Sequence, residues 1–361
     1  MKLCIIGNGL TSLVLAKNLI KRNILVDISA SSNKSKIFKN RTIGISEYNI
    51  RVLEKIFPNI SNLGNPINKI NIYNEKNKKE IINFQNESRQ QFSVFEYNRL
   101  YDFVKKSLTK DKKNLKFLKN KKIVIEKIRD KYDLIIDTEL RDSFSKKYFY
   151  NKLKKNYYSN SYVSIINHKK INNNTAEQYF TKIGPLAFLP INYEKTSLVF
   201  SVIEKNKKLL TNKKLISFIK GYNNKYNIKS FENFESFKIN MVLLKNYYYK
   251  NVLVFGDKLH SIHPLAGQGF NMNLRDIEVL INILDKKIKL GLPIDESVSV
   301  EFEKSSKFKN IIFSSSIDFI HEFFLFEKKL PKNISKTIFY FFKKQKFLNK
   351  LSQEISNKGF N

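Results

Sequence analysis

The sequence predicts an α/β fold that carries an inserted sheet-rich domain and ends in helices. Three observations lead to this prediction. A strand, a glycine turn and a helix occupy the first 21 residues, and a second such unit begins at the apolar run 252–255. Between them lie several strand-like segments, among them 162–166, 186–191 and 197–203. Two separated strand–turn–helix units with strands between them indicate a parallel-sheet domain assembled from distant segments.

The first unit has the pattern of a dinucleotide-binding βαβ start. Residues 3–6 (LCII) predict a buried parallel strand, residues 10–21 a buried helix, and residues 24–28 a second strand. In the turn GNGLTS (7–12), Gly7 permits the sharp bend and Gly9 allows the backbone to approach a pyrophosphate. The free N–H groups of the following helix favour an anion there.

This fingerprint is incomplete at two places. Ser12 stands where the third glycine is expected, although it is small enough for close helix packing. The acidic residue that usually holds the ribose after the second strand is missing, because Ala30 and neighbouring serines occupy that region. An ordinary strand–turn–helix is the alternative interpretation of the turn taken alone.

The remaining elements follow from apolar periodicity. The sequence predicts the strands 67–73, 81–84 and 132–137, and helices at 46–57, 98–108 and near 207–220, with helix throughout the residues after 270.

The segment 252–276, VLVFGDKLHSIHPLAGQGFNMNLRD, carries the most specific pattern. It resembles the GD segment of para-hydroxybenzoate-hydroxylase-type flavin monooxygenases, and most closely that of the ubiquinone-biosynthesis hydroxylases, with the pattern GD-x-x-H-x-x-H-P-x-x-G-Q-G-x-N. The positions that fit are Gly256, Asp257, His260, His263, Pro264, Gly267, Gln268, Gly269 and Asn271.

The chemistry of these residues agrees with the resemblance. An Asp after a buried strand can accept hydrogen bonds from the ribityl hydroxyls of a flavin, so Asp257 is expected there. Gly267 and Gly269 allow the backbone, including that of Phe270 and Asn271, to pack against an isoalloxazine ring. The N-terminus of the helix that follows would face the negative charge that a reduced flavin carries.

Weaker similarities occur in the family's order. The stretch RTIGIS (41–46) resembles R-x-x-A-L-S, which makes Arg41 a candidate flavin contact, and a surface arginine is the alternative. Residues 180–191 are similar to a strand that faces substrate and flavin, with a core strand as the alternative. Arg99 lies on a helix where the family contacts the cofactor, and residues 330–359 are similar to the family's C-terminal helices.

One family pattern is broken. Residues 132–147 align with D-L-x-x-x-A-D-G-x-x-S-x-x-R, and Asp133, Leu134 and Ser143 fit it. The Asp-Gly pair is replaced by Glu139-Leu140, and leucine lacks the backbone freedom of glycine. The resemblance implies that this segment serves FAD and nicotinamide binding, so the departures concern the adenosine and pyrophosphate side.

The predicted site is therefore a set of cofactor contacts. They are Gly7, Gly9, Ser12, Arg41, Arg99, Gly256, Asp257, Pro264, Gly267, Gln268, Gly269, Phe270 and Asn271. No side chain is identified as a catalytic base, and no metal site is expected. For His260 and His263, packing is preferred over a catalytic role, because two histidines without further ligands make a poor metal site.

The predicted fold is a Rossmann-like FAD-binding domain with an inserted sheet-rich substrate domain and C-terminal helices. The expected FAD-binding segments are 1–66, 98–150 and 246–300, where the last contains the GD segment and its helix. The expected substrate-domain segments are 67–97 and 151–245, and the C-terminal helices are 301–361.

The resemblance implies an FAD-dependent aromatic-ring monooxygenase that uses NAD(P)H and O2 to hydroxylate a polyprenylated phenol in ubiquinone biosynthesis. The broken Glu139-Leu140 site leaves open a second hypothesis, a degenerate non-catalytic relative that acts as an assembly partner for other ubiquinone-biosynthesis proteins. The net charge of +34 motivates a third, a basic nucleic-acid-binding protein. Specific nucleic acid is not an expected partner, because only 8 of the 66 basic residues are Arg and no binding motif is present.

The expected localisation is cytoplasmic. The single cysteine, Cys4, excludes a disulfide framework, and the sequence shows no signal peptide and no run of 18 apolar residues. A peripheral position on the inner face of a membrane is a further expectation, because residues 319–348 combine aromatic side chains with lysines that suit an anionic surface. A C-terminal helix pair with solvated lysines is the alternative.

Overall fold

The computed structural model describes residues 1–29, 39–74, 80–85, 90–109, 113–118, 124–139, 143–204, 211–264 and 267–327. The strands are β1 (Lys2–Ile6), β2 (Leu25–Ser29), β3 (Thr42–Ser46), β4 (Gly64–Ile67), β5 (Lys69–Asn74), β6 (Glu80–Gln85), β7 (Phe92–Glu96), β8 (Leu115–Leu118), β9 (Leu134–Asp137), β10 (Lys152–His168), β11 (Thr175–Thr181), β12 (Gly184–Pro190), β13 (Lys195–Ile203), β14 (Ile228–Phe231), β15 (Glu235–Leu244), β16 (Tyr248–Tyr249), β17 (Val252–Val254) and β18 (His260–Ser261). The helices are α1 (Leu10–Ile20), α2 (Glu47–Glu54), α3 (Tyr97–Leu108), α4 (Ile125–Ile128), α5 (Ser143–Tyr148), α6 (Asn212–Lys220), α7 (Gly269–Lys289) and α8 (Glu296–Glu327).

The first sheet brings the two predicted strand–turn–helix units together. Its order is β16-β17-β9-β1-β2-β8, and all strands are parallel except β16. In its centre, Ile5 pairs with Ile28 on one side and Ile136 on the other, and all three are buried. Apolar runs of this kind predict a parallel sheet covered on both faces, and the predicted α/β class is confirmed.

The largest sheet forms the inserted layer. Its order is β18-β15-β10-β13-β12-β11-β5-β6, with β14 also paired to β10. The pairs are antiparallel except β11 with β5. At its centre, the predicted strands 162–166 and 197–203 lie within β10 and β13, and the predicted strand 186–191 overlaps β12 and extends one residue beyond it.

A third sheet, with the order β3-β7-β4, lies against the largest one. Ile67 and Val94 on this small sheet pack on Ile165, Ala176 and Leu189 of the large sheet. The segment 67–97 therefore divides between two sheets, since β5 and β6 join the large sheet whereas β7 pairs with β3 and β4.

Helices α7 and α8 complete the described part of the fold. The helix α7 contributes buried residues such as Leu274, Leu280 and Leu284 to the core beside the parallel sheet. Among the residues described here, no helix is both long enough and apolar enough to cross a bilayer. The helices expected at 330–359, and the part of 319–348 beyond residue 327, lie outside the described ranges.

Candidate cofactor site at the carboxyl ends of the parallel strands

The turn between β1 and α1 has the conformation that its glycines permit. Gly7 has φ +114°, and a Cβ atom there would lie 2.1 Å from Thr138 Oγ1. Gly9 is extended (φ −68°, ψ 171°) and precedes α1 without a side-chain cap, while a Cβ atom on it would meet nothing within 4 Å. This turn therefore leaves open space beside the first N–H groups of α1, as a phosphate-binding turn requires.

Ser12 serves the packing of this helix. Its side chain is fully buried, and its hydroxyl lies 2.8 Å from Thr138 Oγ1. Thr138 donates its own proton to the Ile6 carbonyl at 2.8 Å, so Ser12 must be the donor to Thr138. The hydroxyl in the place of the third glycine thus ties α1 to the ends of β1 and β9.

The GD turn lies beside the same helix end. Gly256 has φ +69°, and a Cβ atom there would lie 3.4 Å from Thr11 Cγ2. The carboxylate of the exposed Asp257 accepts a hydrogen bond from Asn273 Nδ2 at 2.8 Å, and the same nitrogen donates to Thr11 Oγ1 at 3.1 Å. Asn273 therefore holds Asp257 next to the start of α1, so these two distant sequence patterns form one site.

The second glycine turn leads into α7. Gly267 has φ +64°, and its N–H donates to the Pro264 carbonyl at 3.1 Å. A Cβ atom on Gly269 would meet nothing within 4 Å, and the side chain of Phe270 is buried in the main core. The Gln268 side chain is buried, and its Oε1 atom has no hydrogen-bond partner among the described residues. An orphaned acceptor beside an open glycine turn is a feature that a bound polar ring would satisfy.

The side chain of Asn271 fastens this turn to β3. Its Nδ2 atom donates to the Gly44 carbonyl at 2.9 Å. Its Oδ1 atom accepts from the Ser46 N–H and from Asn49 Nδ2, each at 2.9 Å. The amide is fully buried and saturated, so it positions the turn and leaves only its backbone for a cofactor.

The two candidate arginines differ in position. The Arg41 guanidinium lies over the ring of Tyr97, with 4.8 Å between its Cζ atom and the ring centroid. Arg99 is mostly exposed and pairs with Glu96 at 3.2 Å. Arg41 therefore packs against the start of α3, and within the described residues no contact joins Arg99 to the glycine turns.

Both histidines of the GD segment lie in packed surroundings. His260 Nε2 is 2.5 Å from Asp276 Oδ2, and Asn310 donates to the other oxygen of that carboxylate at 3.1 Å. His263 lies against the rings of Tyr157 and His321, with centroids 4.9 and 4.4 Å away. Burial, helped by His321 and Lys155, lowers the pKa of His263 to about 3. The arrangement of each histidine favours the packing interpretation.

The structure reveals an ion pair that the sequence reasoning missed. Lys258 donates to Asp137 inside the protein, where the carboxylate is fully buried and the lysine nearly so. The Glu139 N–H also donates to this carboxylate, at 3.0 Å. Asp137 ends β9 and Lys258 follows β17, so the pair joins the GD turn to the segment that contains the Glu139 departure. Leu140 and Ala30 lie outside the described residues.

The centre of the large sheet presents small and apolar side chains toward β3 and α7. Alternate residues of β12 and β13 point there, among them Ala187 and Ser197, while Phe188 points into a separate core beneath α6. Ser197 Oγ is 2.7 Å from Thr42 Oγ1 on β3. The segment 180–191 thus has its small residues on the face toward the candidate site.

These features fit FAD. The candidate site extends from the start of α1 to the start of α7, and we call this region the cofactor path. It contains the open space at Gly9 and Gly269, the carboxylate of Asp257 and the Oε1 acceptor of Gln268. Among the described residues, no cluster of three or more His, Cys, Asp or Glu side chains could hold a metal ion.

No family model matches the chain. Among curated proteins, it is 29% identical over 100 residues to "Ubiquinone biosynthesis monooxygenase COQ6, mitochondrial" of Schizosaccharomyces pombe, covering 27% of this chain and 21% of that protein. It is 31% identical over 111 residues to the "3-demethoxyubiquinol 3-hydroxylase" of Escherichia coli, covering 30% and 28%. The match to COQ6 of Caenorhabditis elegans is 23% identical over 212 residues and covers 47% of each chain. The matched stretches therefore span a fifth to a half of these relatives.

Solved structures show the same fold over almost the whole chain. The p-nitrophenol 4-monooxygenase PnpA of Pseudomonas putida superposes with a TM-score of 0.76 at 11% identity, covering 99% of this chain and 98% of that one. A "probable FAD-dependent monooxygenase", pqsL of Pseudomonas aeruginosa, gives a TM-score of 0.73 at 16% identity, covering 89% and 96%. The chain is therefore similar to ubiquinone-biosynthesis hydroxylases over part of its length, and it has the fold of these monooxygenases over nearly all of it.

Proposed function

We propose that this protein is an FAD-dependent aromatic-ring monooxygenase that hydroxylates a polyprenylated phenol in ubiquinone biosynthesis, with NAD(P)H as reductant and O2 as co-substrate. The observation that carries the proposal is that two glycine turns, which are far apart in the sequence, belong to one site between α1 and α7. Asn273 links Asp257 to α1, and Asn271 links the second turn to β3. Relatives named as ubiquinone-biosynthesis monooxygenases support the substrate class.

Each part of the path has a proposed role. The α1 N-terminus at Gly7 and Gly9 binds the pyrophosphate, and Asp257 accepts hydrogen bonds from the ribityl hydroxyls. The backbone of residues 269–271 would hold the flavin ring, and the N-terminus of α7 would favour negative charge on it. Bound FAD would supply the redox and oxygen chemistry, while the protein orients the substrate and excludes water.

The small and apolar side chains at the centre of this sheet face support a neutral ring substrate. Ala187, Ser197 and Val199 form its central part, and the registers of β12 and β13 place them side by side. A fixed cation at this centre would favour an acidic substrate, whereas Ala187 and Val199 present no charge to a ring. The proposed domain division follows, with segments 151–245 and part of 67–97 supplying this face.

A polyprenyl chain requires collection from a lipid phase, and α8 offers a surface for it. Phe319 and Phe326 are 67% and 59% exposed near the end of the described chain, and Ile320 is 38% exposed. The chain as a whole carries a net charge of +34, which would attract it to an anionic leaflet. We therefore propose peripheral binding to an anionic membrane surface on its cytoplasmic side.

Vesicle co-sedimentation tests that surface. Wild-type protein should bind vesicles that contain phosphatidylglycerol, and salt should weaken the binding. The variant F319S/F326S should bind less, while Tyr193→Ser, which removes an equally exposed ring from a distant turn, should bind like wild type. Equal recovery in the supernatant with anionic and neutral vesicles at low salt would contradict membrane binding.

A non-catalytic assembly partner is the second candidate function. Glu139 in place of the family's Asp favours it, because this departure falls on the segment that the resemblance assigns to FAD and nicotinamide. Its further partners would be other ubiquinone-biosynthesis proteins.

Spectroscopy and turnover distinguish these functions. The purified protein, reconstituted with FAD, should show a flavin spectrum, oxidise NADH or NADPH faster when a prenylphenol is added, and release a hydroxylated product. Bound flavin without product would favour the assembly role. Failure to bind flavin would refute the monooxygenase, and tight co-purification of nucleic acid would support the basic-protein hypothesis.

A further inference from the structure

Arg275 is a buried cation that the proposed hydroxylation does not use. It lies in the second turn of α7, and its Nη1 and Nη2 atoms are both buried without a hydrogen-bond partner among the residues that the structure describes. Its Cζ atom lies 4.2 Å from the ring centroid of Phe313 on α8, so the guanidinium is held against an aromatic ring between the two helices. Burial lowers the pKa of Arg275 to about 10, so the group stays charged at neutral pH.

The carboxylate that follows Arg275 in the sequence does not pair with it. Asp276 Oδ2 lies 2.5 Å from His260 Nε2, and Asp276 Oδ1 accepts from Asn310 Nδ2 at 3.1 Å. Both oxygens of Asp276 are therefore engaged by other side chains. A buried charge without hydrogen-bonded partners is costly, so the two orphaned nitrogens of Arg275 indicate a place where an anion binds.

The surroundings of the guanidinium define the chemistry of this anion. Nη1 and Nη2 are parts of one planar fork, which matches the two oxygens of a carboxylate. The ring of Phe313 belongs to an apolar cluster whose other buried members are Phe180, Met272, Ile317 and Phe324. A carboxylate attached to an apolar body would therefore meet a cation and apolar side chains together, whereas an inorganic anion would meet only the cation.

We propose that Arg275 and Phe313 form a binding site, between α7 and α8, for an aromatic carboxylic acid. Both nitrogens are shielded from solvent in this structure, so binding includes a rearrangement of the side chains that cover them. The site is separate from the cofactor path, because Asn271 and Asn273 of α7 bond to β3 and to Asp257. The proposal therefore goes beyond the proposed function and does not depend on FAD.

Thermal unfolding of the full chain with sodium benzoate tests the site. At constant ionic strength, the melting temperature should rise with benzoate until it saturates, and benzamide, which has the same ring without the charge, should not raise it. Arg275→Met should weaken benzoate binding about ten- to hundredfold, the range for a lost hydrogen bond to a charged group. Arg51→Met removes a guanidinium whose side chain is 68% exposed, and this matched control should bind benzoate like wild type.

Urea unfolding without benzoate separates a ligand site from a structural arginine. Arg275→Met removes an unpaired buried charge, so its urea midpoint should equal or exceed that of wild type. A lower midpoint would mean that the guanidinium stabilises the fold through Phe313, and it would overturn the proposal. Equal benzoate affinity in wild type and variant, or a response to inorganic phosphate without one to benzoate, would overturn it as well. Arg275→Lys keeps the charge but not the fork, and its weaker benzoate binding provides the same test if the methionine variant does not fold.

Discussion

The two ends of the proposed cofactor path differ in how they are built. At the α7 end, Gly267, Gly269 and Asn271 keep the pattern of the family, and the buried amide of Asn271 is saturated by β3 and α2. At the α1 end, the family pattern is incomplete, and contacts between side chains hold the segments together. The Ser12 hydroxyl forms a hydrogen bond with Thr138, and Lys258 forms an ion pair with Asp137. The difference indicates that the proposed ring end keeps the family's backbone pattern, whereas the proposed adenosine end is held together by contacts of its own.

The buried ion pair of the α1 end should give the largest effect on stability. Lys258→Met would leave the Asp137 carboxylate buried without its cation, which destabilises a protein by about 3–5 kcal/mol. Urea unfolding of the variant should show this loss. Lys286→Met removes an exposed lysine 3.8 Å from Glu301 and should cost less than about 1 kcal/mol. Equal losses in the two variants would mean that the α1 end does not depend on this pair.

The α7 end should depend on Asn271. Asn271→Ala leaves the Ser46 N–H and the Gly44 carbonyl buried without this partner, which would cost about 2–3 kcal/mol of unfolding free energy. Asn167→Ala, which removes an exposed amide bonded to Ser230 at 3.2 Å, is the matched control. If both variants unfold at the same urea concentration as wild type, Asn271 does not hold the turn.

Acidic pH should weaken the packing next to the second glycine turn. The pKa of His263 is about 3 in the folded protein and about 6.5 in the unfolded chain, so the unfolded state binds the proton first. Stability is therefore complete above pH 6.5 and falls as the pH decreases toward 3, by up to about 2 kcal/mol between pH 6.5 and 5 for this group. His263→Phe should reduce this slope in unfolding experiments at several pH values, and an unchanged slope would contradict the assignment.

Asp257 should affect the cofactor more than the fold. Asp257→Ala removes one or two hydrogen bonds to the ribityl chain and should weaken FAD binding by about 1–2 kcal/mol, or about five- to thirtyfold. Asp130→Ala, at a position 92% exposed, should leave the affinity unchanged. Unchanged flavin retention in a folded Asp257 variant would remove this residue from the site.

The smallest effect is expected at the broken segment. Glu139→Asp combined with Leu140→Gly restores the family's pair and should tighten FAD binding, or speed flavin reduction by NAD(P)H, by a small factor. No change in either quantity would mean that this segment no longer serves the cofactor, which would sharpen the contrast between the two ends.

The sequence was sufficient for those features that depend on local patterns. The buried runs that became β1, β2, β9 and β17 are short, apolar and bounded by turns, so periodicity located them. The first half of β10 was missed because residues 152–156 are rich in lysine and mostly exposed, and pairing with β15 defines that strand.

Pairs of distant residues could not be predicted from local patterns. Asp137 and Lys258 are 121 positions apart, and they meet only because β9 and β17 are neighbours in the parallel sheet. A buried Asp at the end of one strand and a Lys in the turn after another are a usable signal only once these two strands are known to be neighbours. The site residues near the glycine turns could be predicted from the sequence, because glycine often marks a backbone conformation that other residues rarely adopt.

The comparison of FAD with FMN tests the central claim most directly. A flavin held mainly through the ribityl chain and ring should bind in both forms, with Kd values within about tenfold of each other, or about 1.4 kcal/mol. Fluorescence titration of the cofactor-free protein with each flavin measures this ratio. An FAD affinity more than about a thousandfold higher than that of FMN would show an intact adenosine end, and failure to bind either flavin would contradict the proposed cofactor site.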